Sequence, residues 1–359
     1  MIFTRQYSEV LRSIDAIDPI EYCKTRNYIN GAVTRLSPYI SRGLISGKQV
    51  LESVLAKGYD PKSIEKFIQE LAWRDYWQQL WIHRTAGINT ATIDASNLRV
   101  GMPQAVAKGN TGIQAIDSAI REFYQTGYLH NHLRMYIASL ACNVGQCQWQ
   151  LPAQWMYYHL LDADWASNAL SWQWVAGINR AQAYFANQEN INNYCGTSQK
   201  NTFLDIDYSA FPLQEIPAIL EEVETTVLST PLPFTETPQL NSELPTLIYN
   251  FYNVDPQWKT DILANRILLL EPTVFAQYPV SENSLQFCIE LALENIPGIQ
   301  IWVAEFSELK QKFSGEIYFK EHPLNRYTGI EESRDWLSPV SGEYPSFFAF
   351  WKQCKKALY

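Results

Sequence analysis

The sequence predicts a mainly α protein, an all-helical domain followed by a smaller α/β domain. Three observations predict this class. Through the first 200 residues apolar side chains recur at helical spacing, and no convincing alternating strand interrupts them. Between 206 and 245 the composition turns loop-like, with Pro212, Pro217, Pro231, Pro233, Pro238 and Pro245. Beyond it, two continuous apolar runs, RILLLEP (266–272) and GIQIWVAEF (298–306), flank the helical pattern SLQFCIELALENI (284–296). That is a β-α-β arrangement. With 359 residues the chain can bury two cores. The expected organisation is therefore helical over 1–205, a Pro-rich linker over 206–245 and a small α/β domain of unknown role over 246–359.

The elements follow in order. SIEKFIQELAWRDYWQQLW (63–81) places Ile64, Phe67, Ile68 and Leu71 on one helical face, with Ser63 as an N-cap after the Asp60-Pro61 turn. NTGIQAIDSAIREFYQTG (110–127) runs from an N-cap candidate to a glycine stop. HNHLRMYIASLACNVG (130–145) and AQWMYYHLLDADWASNAL (153–170) continue the helical pattern. A short helix at 307–313 and a strand near Glu316–Lys320 extend the second domain, which has no G-x-G-x-x-G or Walker-type loop and so no nucleotide site of its own. No internal repeat is visible.

Composition narrows the function. Aromatic residues make up 14% of the chain, with 12 Trp and 21 Tyr, which suits a flat, π-rich ligand. Residues 1–205 hold 18 of the 28 Lys+Arg and 16 of the 37 Asp+Glu, a net of +2. The remainder holds 10 and 21, a net of −11, and should repel phosphate. A nucleic-acid partner therefore has to meet the first part. The N-terminus MIFTRQYSEVLRSID has no apolar core of a signal peptide, and no apolar run reaches membrane-spanning length. The six cysteines show neither C-x-x-C nor metal spacing and read as reduced thiols of a cytoplasmic protein.

Chemistry concentrates in three places. On the helix at 63–81, Glu70, Trp73, Trp77 and Trp81 form a second face at i, i+3, i+7 and i+11, which is either the wall of a polar cavity or interfacial packing. At 130–145, Asn131, Arg134, Met135 and Ala138 share a face, while His130 and His132 diverge and suit structural or solvent roles better than metal ligation. The third place is DADWASNALSWQW (162–174). Its D-x-D spacing suggests a calcium loop, but the sixth and twelfth positions are Ser167 and Gln173 where a glycine and a glutamate are needed. No metal is expected.

Four segments in order, TRLSPYISRG (34–43), QELAWRDYW (69–77), GYLHNHLRM (127–135) and DADWASNALSWQW (162–174), resemble the FAD-binding helical domain of the DNA photolyase/cryptochrome family. The resemblance covers about residues 20–190 and is nearest to the cyclobutane pyrimidine dimer photolyases. It implies a bent FAD in a helical cavity. Tyr22 resembles the tyrosine on the phosphate side, and Thr34, Leu36 and Ser37 look like the phosphate-binding turn, where Val33 replaces one of two hydroxyl residues usual in the family. Phe67, Glu70 and Asn131 match further cofactor contacts. Asp162 and Asp164 look like the pair that approaches the flavin ring and ribose, with Arg134 similar to the arginine that keeps the first of them ionised. Asn168 matches the position facing flavin N5, where a neutral amide tolerates either protonation state of the reduced ring.

The resemblance also implies electron transfer and a substrate. Trp172 and Trp149 match the proximal and middle members of the family's tryptophan chain. The third falls near Ser96, where no tryptophan stands, leaving Tyr157 or Tyr158 as the available substitute. Glu70, Trp73, Asn131, Met135 and Trp174 correspond to the cavity that receives a flipped-out pyrimidine dimer, with Glu70 on the pyrimidine edge and the indoles as apolar walls. Asn131 with Met135 disfavours the branch repairing (6-4) photoproducts, which needs a histidine acid. Arg26, Arg35 and Arg74 are candidate phosphate or flavin contacts, Arg26 and Arg74 toward DNA, and Arg42 reads equally as surface charge. The implied activity is light-driven repair of cyclobutane pyrimidine dimers, a carbon–carbon lyase reaction on damaged DNA. The alternative is a cryptochrome-like blue-light sensor with a signalling protein partner. Photolyases carry an α/β antenna domain before the helical domain, whereas here an α/β unit follows it, so no antenna chromophore is assigned. Oligomeric state is left open.

Overall fold

The computed structural model describes residues 3–90, 97–178 and 182–358. Eleven labelled helices form the first part. They are α1 (Tyr7–Asp15), α2 (Pro19–Thr25), α3 (Ser37–Ser41), α4 (Gly47–Ala56), α5 (Glu65–Arg84), α6 (Gln104–Ala107), α7 (Gln114–Thr126), α8 (Asn131–Ser139), α9 (Gln150–His159), α10 (Trp165–Val175) and α11 (Gln188–Cys195). The second part holds a five-stranded parallel sheet of β3 (Thr246–Tyr249), β4 (Asn265–Leu270), β5 (Gln300–Val303), β6 (Ile317–Lys320) and β7 (Ile330–Glu332). Its helices are α12 (Pro272–Gln277), α13 (Glu282–Asn295), α14 (Phe306–Lys312) and α15 (Phe347–Leu358). The mainly α class with a smaller α/β part is thus observed. The remaining strands, β1 (Met102–Pro103) and β2 (Val223–Glu224), pair with each other.

Local chemistry explains most boundaries. Gly127 ends α7 at φ 66, the left-handed conformation glycine adopts without penalty. A Cβ there would meet Leu161 Cγ at 2.7 Å. Gly127→Ala should therefore destabilise the fold by more than about 1 kcal/mol, and a denaturant melt equal to wild type would contradict it. Ser63 does not cap α5. Its hydroxyl donates to the Asp60 carbonyl at 2.7 Å, and the helix starts two residues later. The pattern read as continuous over 153–170 is broken at 160–164, because the Asp164 carboxylate caps α10 by accepting from Ser167 N at 2.8 Å. That break turns both aspartates inward.

The sheet order is β5-β4-β3-β6-β7. The chain departs from β3 to one side and returns to its other side, so the carboxyl ends of β3 and β6 form a topological switch point, where ligands of such sheets bind. The helical part docks on this edge. Gly43 lies against the Tyr252 backbone, where a Cβ would meet the Tyr252 carbonyl at 2.7 Å. On one face, α13 ties the two parts together through Ser284 Oγ to the Leu160 carbonyl at 3.0 Å and through the Arg5–Glu290 ion pair at 2.7 Å.

Residues 206–245 contain short 3-10 turns and β2, and they bury Phe211 and Leu220 against the helical part. At the far end, α15 lies along α5. Glu65 accepts from Trp351 Nε1 and Lys355 Nζ at 3.0 and 2.8 Å, and Phe347 stacks on Trp73. Among the described residues no helix is long and apolar enough to cross a membrane, and no cluster of metal-ligating groups occurs. The six cysteines are unpaired.

Candidate functional site

A cavity of about 500 Å³ lies between α2–α5 and the switch-point edge of the sheet. The size suits a cofactor. From the helical part it takes Tyr22, Thr34, Ser37, Phe67, Glu70, Arg74 and Asp164. From the sheet side it takes Asn250, Asn253, Lys320, His322 and Arg334. Helix α5 contributes most, because Phe67, Glu70, Arg74 and Gln78 recur every three or four residues along one face.

Of the two aspartates, Asp164 lines this cavity and Asp162 does not. Arg134 Nη2 donates to both carboxylate oxygens of Asp162 at 3.0 Å, while its Nε is fixed on the Leu129 carbonyl at 2.8 Å. Burial pushes the Asp162 carboxyl up, but the Arg134 and Arg74 guanidiniums and a Ser37 hydrogen bond together bring it below the ordinary carboxylate range. Asp162 is thus a buried anion. Asp164 accepts from Gln78 Nε2 at 2.6 Å and from Arg74 Nη1 at 3.2 Å, and Arg74 Nη1 also reaches Ser41 Oγ at 2.7 Å.

At the turn before α3, Arg35 adopts φ 56, a positive value that a side-chain-bearing residue takes only when its surroundings impose it. Thr34 Oγ1 accepts from Leu36 N at 3.4 Å. The Leu36 side chain is in the core, 1% exposed, so only its backbone can face a ligand. Tyr22 meets the edge of Phe67 at 5.2 Å, and Glu70 is paired with Arg26 at 3.3 Å.

Several placements correct the sequence reading. Arg42 is not a surface charge. It is fully buried, with its guanidinium 3.4 Å over Phe251 and Nη2 on the Ala163 carbonyl at 2.6 Å. The face Glu70, Trp73, Trp77, Trp81 is split. Glu70 opens on the cavity, Trp81 is buried against Tyr278, Tyr252 and His322, and Trp73 stacks on Phe347 at 3.7 Å and 10°. Arg74, read toward DNA, lies in the cavity and holds Asp164.

The remaining predicted residues are placed as follows. Asn131 is exposed with its amide 4.0 Å from the Met135 sulfur, and Trp174 lies 5.9 Å from Tyr184. Trp73, Asn131, Met135 and Trp174 are not among the residues lining the cavity. Asn168 is buried and donates from Nδ2 to the Ala153 carbonyl at 2.8 Å. Asn168→Asp would set a carboxylate against that carbonyl, and the variant should lose about 1–3 kcal/mol of stability at neutral pH. An unchanged urea midpoint would remove that bond from the account. His130 caps α8 through Nδ1, with its pKa lowered to about 4 by burial, His132 and Arg134.

Trp149 and Trp172 are both buried at 2% exposure. Trp149 stacks at 6.5 Å on Trp165, which the sequence reading left out, and Trp165 continues to Tyr157 at 5.4 Å and Tyr278 at 5.7 Å. Tyr157 shares a 2.7 Å hydrogen bond with Tyr252, whereas Tyr158 donates to the Ser229 carbonyl at an exposed site. Ser96, the position expected for the distal member of the electron chain, lies outside the described residues.

The sequence reading also missed the wall beyond the helical part. Asn250, Asn253, His322 and Arg334 follow or precede short strands, and β3 has too few residues to announce itself. The stretch YNFYNVD (249–255), dense in aromatics and amides, was the available signal.

Comparison with known proteins bears on this arrangement. Residues 67–234 match the family model of the FAD binding domain of DNA photolyase. The chain is similar to the deoxyribodipyrimidine photo-lyase of Buchnera aphidicola, 30% identical over 235 residues, covering 62% of this chain and 47% of that one. It is similar to that of Alkalihalophilus pseudofirmus, also 30% identical, covering 42% and 33%. The cryptochrome DASH of Solanum lycopersicum is 30% identical over 48% of this chain and 32% of its own. Among solved structures, a class III photolyase from Agrobacterium tumefaciens superposes with a TM-score of 0.48 at 26% identity, covering 53% of this chain and 42% of that one. The chain spans a third to a half of the length of these curated relatives. Residues 67–234 thus carry the match to an FAD-binding domain of DNA photolyase, and FAD is the cofactor that such a domain takes.

Proposed function

We propose that this chain binds FAD in the cavity and repairs cyclobutane pyrimidine dimers in DNA with the energy of light. The observation that carries the reading is the pair of pinned carboxylates, Asp162 on Arg134 and Asp164 on Arg74 and Gln78, the second of which lines the cavity. Bound FAD supplies an electron after absorbing light. The residues do the rest. Asp162 and Asp164 accept hydrogen bonds without reorganising, because each is already held from behind. Thr34, Ser37 and the backbone at Arg35 are the donors this reading assigns to the pyrophosphate. Glu70, which lines the cavity and pairs with Arg26, is the residue this reading assigns to the pyrimidine edge. We take residues 1–205 as the unit for cofactor and DNA, 206–245 as its connector and 246–359 as the α/β unit that closes the cavity. The unpaired thiols favour a reducing, cytoplasmic setting.

One observation favours a second reading, a blue-light sensor without repair. Phe347 covers a face of Trp73, the ring that repair assigns to the flipped dimer. The repair reading is tested at Glu70. Glu70→Gln should keep its flavin and lose light-driven dimer repair on the order of 100-fold. Equal repair by the variant would remove Glu70 from the reaction.

A further inference from the structure

Arg42 carries a charge into the core. Its side chain is 0% exposed, and Nε and Nη1 have no hydrogen-bond partner. Nη2 donates at 2.6 Å to the Ala163 carbonyl, a neutral acceptor. The guanidinium lies 3.4 Å over the Phe251 ring and 5.3 Å from the Tyr252 ring, whose faces attract a cation. Burial lowers the Arg42 pKa, and Asp164 is among the neighbours that oppose this. A buried charge held this way costs stability, and an apolar side chain of similar length would fill the space without that cost. Stability therefore does not explain the arginine.

The groups at its two ends do. The bonded carbonyl belongs to the residue between Asp162 and Asp164, in a stretch that has left the helix. The backbone is extended at Leu160 and turns helical again only from Trp165. Ala163 is fully buried, its N–H donates to the Leu160 carbonyl at 3.2 Å, and Arg42 takes its carbonyl. The peptide joining Ala163 to Asp164 is thus held in one orientation, with the Asp164 carboxylate on Gln78 and Arg74. At the other end, Phe251 follows β3 of the α/β part, and Val254 N donates to the Arg42 carbonyl at 2.8 Å. The α/β part therefore grips Arg42 by backbone and side chain, while Arg42 grips the aspartate segment. Arg42 does not line the cavity, whereas Asp164 does.

We infer that Arg42 is a positioning residue of the cofactor site, fixing the Asp162–Asp164 segment with a guanidinium that Phe251 of the α/β part keeps in place. The inference rests on the flavin reading and deepens it. Arg42 acts through the aspartates, and docking of the α/β part then sets how well the helical part retains FAD.

The test is an FAD titration of the flavin-stripped full chain, followed by flavin fluorescence, beside urea melts of the same proteins without flavin. Arg42→Met keeps the length and removes the charge. It should melt at the wild-type midpoint or above and yet bind FAD at least about tenfold more weakly. Arg42→Lys keeps the charge but lacks the planar fork that meets carbonyl and ring together, and it should weaken FAD too. In an Asp164→Asn background, Arg42→Met should add less than about threefold, because the carboxylate through which it acts is already gone. A folded Arg42→Met with wild-type FAD affinity, or an effect that adds in full to Asp164→Asn, overturns the inference and leaves the flavin reading intact. Should Arg42→Met not fold, Phe251→Leu decides. It removes the ring under the guanidinium and should weaken FAD at least about threefold, and wild-type affinity there overturns the inference. Failure of the wild-type chain to take up FAD at all removes the flavin reading, and this inference with it.

Discussion

Replacing Asp162 by alanine is expected to strip the chain of FAD and to cost about 3 kcal/mol of folding stability. The carboxylate is 5% exposed and accepts twice from Arg134 Nη2. Its removal leaves a largely buried guanidinium without its anion, which is worse than removing both. The pH dependence follows from the depressed folded-state pKa of Asp162. A group depressed in the native state contributes stability above its unfolded value, and this is lost as pH falls through the folded value. The wild type should therefore lose part of its stability below the ordinary carboxylate range, near pH 4, and the alanine variant should lose less there. The measurements are the flavin-to-protein absorbance ratio and urea melts across pH 3–7. A variant that keeps its flavin and melts like wild type would detach Asp162 from both roles.

The second large effect belongs to the C-terminal helix. Phe347→Ala should destabilise the fold by about 3–5 kcal/mol, the usual cost of truncating a buried phenylalanine. Phe347 is 3% exposed and packs against Trp73, Tyr76 and Trp351. The effect should not stop at α15. The neighbouring face of α5 presents Glu70, Arg74 and Gln78 to the cavity, so loosening the strap over Trp73 should also weaken FAD retention. Asp75 and Gln79 tie the same strap, accepting from Leu337 N at 2.7 Å and Gly342 N at 3.1 Å. A loss below about 1 kcal/mol in a denaturant melt would show that α15 merely rests on the surface.

Legibility in the sequence tracked how local the cause was. Helices α5 and α7 were visible because one face repeats every three or four residues and Gly127 stops the second. The strands at 265–270 and 300–303 were visible as apolar runs flanking an amphipathic helix. The break at 160–164 was not, because apolar Leu160 and Leu161 keep the helical spacing although the backbone is already extended at Leu160 and Asp164 starts a new helix as its N-cap. Arg42 read equally as ligand contact and as surface charge because a charged residue in a turn is usually exposed, and only the docking of Phe251 from another 200 residues along the chain buries it. The same holds for Trp73 and Phe347, and for the cavity wall at 253, 322 and 334. Each is a contact between distant segments, which no periodicity encodes.

Light-driven repair has a direct measurement. The chemically reduced protein is mixed with a dimer-containing oligonucleotide, and absorbance is followed at the pyrimidine band and across the flavin bands, first in the dark and then under near-UV and blue light. The account predicts that pyrimidine absorbance recovers in the light and not in the dark. Flavin bands that respond to light while pyrimidine absorbance stays flat would contradict repair and leave a light-responsive flavoprotein.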